Sequence, residues 1–149
     1  MIKLKAFVLV AFAIFFSLLV FNNITNYESN HWVVKSVLGM EGVQDSAVTW
    51  RAIKAPWIVT PIYIFIIMIE AMVSVFCWIS VFFMLVKRNG WFFGFAGLAM
   101  AFGLFMLGFV AIAGEWFYMW QHPIFGGMQQ KAAVYSILML ASMLFVKES

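Results

Sequence analysis

Charge is what this sequence has least of. Only 10% of its 149 residues are Asp, Glu, Lys or Arg, against roughly 25% in a soluble globular domain. The few charges are segregated, and none lies between Arg88 and Glu115. With 66% of the chain hydrophobic, this composition excludes an ordinary water-soluble fold and puts nearly all of the protein in or at a bilayer. The net charge of +3 is small and scattered. No Lys/Arg cluster is interleaved with aromatic or flexible sequence, so nothing points to nucleic acid as a partner.

Cysteine is nearly missing as well. A single thiol, Cys77, excludes an intramolecular disulfide, a CxxC redox pair and a thiolate metal cluster. There is no HExxH, no Ser/His/Asp arrangement at a plausible depth and no phosphate-cradling glycine loop; Gly126-Gly127 is a turn after Pro123. The chain is therefore expected to be non-enzymatic, and no cofactor or metal is predicted.

What the sequence does have is long apolar runs. A spanning helix takes about 20 such residues, and four segments qualify, over about 6–22, 57–86, 91–120 and 132–146. The first and last are short. The N-terminal run has Lys3 and Lys5 ahead of it like a signal peptide, but no small-x-small cleavage site follows, so it is expected to be an uncleaved first span. The fold class is an all-α membrane protein: a single domain over residues 1–149, built as a four-transmembrane-helix bundle. Lys3, Lys5, Lys87, Arg88 and Lys147 fall on one side of it. By the bias of basic residues in short loops, both termini face the cytoplasm.

Segment 22–55 then lies outside. His31 to Leu38 reads as a short amphipathic helix with Val33, Val34 and Val37 on one side. Gly39 and Gly42 break it, and Asp45 or Ser46 can cap a second short helix over Ala47–Lys54. Trp32, Trp50 and Trp57 suit a headgroup boundary. The short polar side chains of Asn22-Asn-Ile-Thr-Asn-Tyr27 can satisfy carbonyls at the end of the first span.

Two acids interrupt the apolar runs. Tyr63, Ile67, Glu70, Ser74 and Cys77 share one face of the second span, and such a polar stripe faces protein or water rather than lipid. It serves either as a hydrogen-bonded packing seam or as a proton or ion relay. Glu115 ends a stripe of Gly97, Ala101, Leu104, Gly108 and Ala111 on which another helix can approach closely. Arg51, at a compatible height, is its expected partner, because a guanidinium matches a carboxylate at two points; Lys54 and Lys131 are alternatives. The two histidines, His31 and His122, either sit hydrogen-bonded near headgroups or ligate a haem.

The runs "NNITNYESN", "TWRAI", "IIMIEAM" and "GFVAIAGEWFYMWQ" together resemble a bacterial domain-of-unknown-function family of predicted small integral membrane proteins. The resemblance covers nearly the whole chain. It implies a four-span protein of the bacterial inner membrane and marks Asn22, Asn23, Trp50, Arg51, Glu70, Glu115, Trp116 and Gln121 as characteristic positions, without giving them a role. The chain departs from it at Ile124-Phe-Gly-Gly127, where a Trp-Asn-Gly type turn is expected.

Three functions remain open. The first is an accessory or stabilising subunit of a larger membrane complex, with a membrane-protein partner or a second copy of itself. The second is an oligomeric proton, ion or small-solute transporter using Glu70 and Glu115. The third is a haem- or quinone-binding electron-transfer subunit.

Overall fold

The computed structural model describes residues 2–147. Five α-helices carry the fold: α1 (Ile2–Thr25), α2 (Tyr27–Leu38), α3 (Pro56–Leu85), α4 (Trp91–Gly103) and α5 (Gly126–Val146). A π-helical segment, Leu104–Trp116, prolongs α4 without a break. Four stretches are long and apolar enough to cross a bilayer: Lys3–Thr25, Pro56–Leu85, Trp91–Trp116 and Gly126–Val146. The four-span all-α architecture is thus present. With 30 residues, α3 is about 45 Å long at 1.5 Å per residue, longer than a hydrocarbon core of about 30 Å.

The bundle has two distinct ends. At the basic end, Lys5 Nζ donates to the carbonyls of Val146 and Lys147 at 3.5 and 3.1 Å, tying the start of α1 to the end of α5. Here α4 comes very close to α3. A Cβ on Gly94 would meet Ser80 Oγ at 2.8 Å and a Leu9 methyl at 2.9 Å, and one on Gly97 would meet Phe76 Cβ at 3.1 Å. Ser80 Oγ donates to Gly90 O at 2.6 Å across the same contact. The main core, including Leu9, Phe16, Val73, Cys77 and Leu98, starts here and runs along the bundle as far as Phe105 and Ala132.

At the opposite, capped end, α2 takes over from α1 alongside α3. Tyr27 and His31 pack on Tyr63, with ring centroids 5.1 and 5.5 Å away. The chain then folds across the bundle. Ile53 N donates to Leu38 O at 2.8 Å, and Gln44 N to Gln121 Oε1 at 3.1 Å. A second, smaller core of Val37, Leu38, Met40, Val59, Phe117, Met119 and Phe125 lies beneath. Gly42 makes the crossing possible: its φ of +79° is open to glycine, and a Cβ there would meet Pro123 Cδ at 2.8 Å.

Several boundaries differ from those expected. The helix anticipated over Ala47–Lys54 is only a 3₁₀ turn, Thr49–Arg51. Asp45 Oδ1 does accept from Ala47 N at 2.9 Å, but that closes a local turn, and Ile53 N is already committed to Leu38. The third span stops at Trp116 instead of reaching Trp120, because Tyr118 takes a left-handed φ of 54° and a 3₁₀ turn, Met119–Gln121, follows. The fourth starts at Gly126 rather than Ala132, since Gln129, Gln130 and Lys131 are polar but helical. Hydropathy misses them; backbone propensity does not.

The stripe from Gly97 to Glu115 is broken midway. Gly97 and Ala101 are buried, but beyond Gly103 the hydrogen bonds become i→i+5, as in Phe117 N to Ile112 O at 3.0 Å. Wider turns lose the α phase, and Glu115 emerges on an exposed position. The change also swings the chain away from α3: α4 packs on both α3 and α5, whereas the π segment packs on α5.

Candidate functional site

The polar face of α3 holds as a structural unit. Tyr63, Glu70, Ser74 and Cys77 are all buried, and all but Cys77 are hydrogen-bonded to α1. Ser74 and Ser17 share a hydrogen bond of 2.7 Å between their hydroxyls, and Trp78 Nε1 donates to Ser17 Oγ at 3.2 Å. One step further toward the capped end, Asn23 Nδ2 donates to Glu70 Oε2 at 2.7 Å. Tyr63 donates its hydroxyl to Asn23 O at 2.8 Å, and Asn30 Nδ2 donates to Asn22 O at 3.2 Å. Two carbonyls near the end of α1, those of Asn22 and Asn23, thus accept from side chains of α2 and α3, leaving the Asn23 amide to orient the carboxylate.

Glu70 borders a cavity. It measures about 280 Å³ and is lined by Asn22, Asn23, Tyr63, Glu70, Lys131 and Tyr135, among others. Aromatic rings close one side, with Phe105 5.3 Å from Tyr135 and 5.8 Å from Phe109. Lys131, exposed at the start of α5, stands at the mouth. The sequence suggested Lys131 only as a partner for Glu115; here it shares a cavity with Glu70. Tyr135 and Asn30 were not anticipated, because neither falls on the α3 stripe.

A second space adjoins the first. It holds about 440 Å³, is almost wholly apolar, and opens between α3 and the π segment. Val33, Val34, Ile66, Phe109 and Met128 line both spaces, so the polar cavity and the apolar cleft are neighbours through one wall. The cleft exists because the π segment leaves α3. It is lined by Gly103, where a Cβ would meet nothing within 4 Å, and by Gly108, where it would meet only a Leu104 methyl at 3.7 Å.

The expected Arg51–Glu115 pair does not form. Glu115 Oε1 accepts from Gln129 Nε2 at 2.7 Å, and the same nitrogen reaches Val110 O at 3.3 Å. Gln129 lies over Gly114, where any Cβ would collide with it. Arg51 meets the next residue instead. Its guanidinium sits 4.5 Å from the Trp116 ring centroid and 5.6 Å from those of Trp50 and Tyr118, and Nη1 donates to Trp116 O at 3.4 Å. The "TWR" and "GEW" motifs do converge, through a cation on aromatic rings rather than an ion pair.

Neither histidine lines the Glu70 cavity. His31 Nε2 lies 3.1 Å from Thr60 Oγ1. His122 Nδ1 accepts from Ile124 N and Phe125 N at 3.1 and 3.2 Å, which caps the turn into α5. Among the described residues, no three His, Cys, Asp or Glu side chains converge as a metal site would require.

The DUF2165 family, described as predicted small integral membrane proteins, matches residues 2–149. The chain belongs to this family. Neither the curated proteins nor the solved structures contain a match to it. In this DUF2165 protein, the four-span integral-membrane architecture and the family assignment agree, and seven of the eight positions marked by the family resemblance fall into two groups, Glu115 standing apart on Gln129. Asn22, Asn23 and Glu70 border the cavity, while Trp50, Arg51, Trp116 and Gln121 fasten the crossing segment over the bundle.

Proposed function

We propose that this protein is a non-enzymatic accessory subunit of a larger assembly in the bacterial inner membrane, with both termini in the cytoplasm, and that it serves by holding an amphiphilic ligand at Glu70. The observation behind the reading is the cavity beside a buried carboxylate. An acid at this depth is costly in lipid. A purely structural seam closes around its polar groups, as Ser17 and Ser74 do. Around Glu70 the helices instead leave about 280 Å³, next to an apolar cleft of about 440 Å³. Together these fall within the size range of ordinary small-molecule sites, about 300–1,000 Å³. A head that donates a hydrogen bond or carries positive charge suits Glu70, and an acyl or isoprenoid tail suits the cleft.

The transporter reading has less support. Phe16, Val73 and Leu98, each fully buried, fill the bundle between the cavity and the basic end. Haem loses support because His31 and His122 are engaged elsewhere. The test is organic extraction of protein purified in mild detergent, with mass spectrometry of both extract and co-purifying proteins. A near-stoichiometric amphiphile that disappears in Glu70→Gln, with the fold retained, is the expected result. Identical extracts from wild type and Glu70→Gln would refute the ligand role, and purification as a bare chain would refute the subunit role.

A further inference from the structure

The basic end holds a second opening that the Glu70 reading does not use. Lys3 and Lys5 from α1, and Lys87 and Arg88 from the α3–α4 turn, line one cleft of about 670 Å³. No Asp or Glu is among its described lining residues. Asn89 and Gly90 complete the turn on its rim, and Ala6, Met84, Leu85, Trp91 and Val146 form an apolar floor beneath. Lys87 holds a left-handed φ of 57°, an uncommon conformation for a residue other than glycine. The turn thus brings Lys87 and Arg88 beside two lysines more than eighty positions away in the chain. The site is built by the fold and is not a run of neighbouring charges.

We propose that this cleft binds the headgroup of an anionic phospholipid, and that a lipid with two phosphodiester groups, of the cardiolipin type, fits it best. Phosphate oxygens match Arg and Lys donors at charge-assisted distances. Basic pockets between spanning helices are suited to such heads. Four cations exceed what one phosphate needs and match two. Lys5 is partly committed to the carbonyls of Val146 and Lys147, so Lys3, Lys87 and Arg88 carry most of the selectivity. The Met84 and Leu85 side of the cleft faces the start of the acyl chains, and the Trp91 indole lies at the interface where such rings favour the headgroup level.

The experiment is native mass spectrometry of the delipidated full-length protein with equal concentrations of cardiolipin, phosphatidylglycerol and phosphatidylcholine. Cardiolipin adducts should exceed phosphatidylcholine adducts about tenfold, corresponding to at least one charge-assisted contact, and should weaken as salt rises. The double variant Lys87→Gln/Arg88→Gln should abolish the preference. Lys35→Gln/Lys54→Gln, which removes the same charge from the other end of the bundle, should leave it intact. Equal loss in both double variants would mean diffuse attraction and would overturn the site. So would equal retention of cardiolipin and phosphatidylcholine by the wild type. Phosphatidylglycerol bound as tightly as cardiolipin would overturn the two-phosphate assignment. The oligomer profile and thermal transition of each variant establish that it is folded.

Discussion

The two glutamates look alike in the sequence and differ in the structure. Glu70 is buried and oriented by Asn23, while Glu115 is exposed and answered by Gln129. Removing the Asn23 amide leaves a buried carboxylate without its donor, which costs about 1–3 kcal/mol. Asn23→Ala should therefore lower the thermal transition of the purified protein well below that of Glu115→Gln, which keeps an acceptor for Gln129 and should fall within about 0.5 kcal/mol of wild type. Equal effects would mean the two acids are energetically equivalent. Glu70 was legible because α3 is a regular helix, and a period of 3.6 carries Tyr63, Glu70, Ser74 and Cys77 to one face. The partner of Arg51 was not legible. Height along the bundle suggested Glu115, but neighbouring positions on a helix point in different directions, and only the fold shows that Trp116 faces the guanidinium. Gln129 escaped notice because it lies ahead of the apolar run that marked the fourth span.

At the level of elements, the decisive event is the passage from α4 to the π segment at Gly103 and Leu104. Hydropathy cannot register it, because the apolar run continues unchanged; only the hydrogen-bond pattern differs. Its consequence is a division of the glycines. Gly94 is pressed between α1 and α3, and a Cβ there meets Leu9 and Ser80 at under 3 Å. Gly103, on the cleft, faces open space. Gly94→Ala should destabilise by about 1–3 kcal/mol through overpacking. Gly103→Ala should be neutral or slightly stabilising, since alanine costs less helix entropy than glycine. Parallel denaturation of the two variants in the same detergent checks the contrast, and a neutral Gly94→Ala would show that α4 does not approach so closely. Gly103→Leu extends the comparison: it should keep the fold and displace a tail from the cleft, seen as loss of the extracted ligand.

Across the whole molecule, the chain builds two cores, one in the bundle and one under the crossing segment. Separate cores open as separate cooperative units when few contacts join them. The crossing segment is fastened by the Leu38–Ile53 and Gln44–Gln121 hydrogen bonds, by Gly42 against Pro123, and by Arg51 on the Trp116 ring. An exposed cation–π contact contributes about 0.5–1 kcal/mol, little beside the stability of a spanning bundle but a large share of what holds a short loop. Arg51→Ala should therefore speed amide exchange over residues 39–55 and leave α3 and α4 unchanged. Gly42→Ala should do so more strongly, because it strains the backbone and collides with Pro123 at once. Hydrogen exchange with peptide-level mass spectrometry resolves the two regions. Faster exchange throughout α3 would show that the cap and the bundle are one unit. Unchanged exchange in both variants would show that the fastening lies in the apolar core of Leu38, Met40 and Phe125. Opening of the cap alone would mean that segment 39–55 can lift from its own small core while the four spans, and the Glu70 cavity walled by α1, α2, α3 and α5, stay closed.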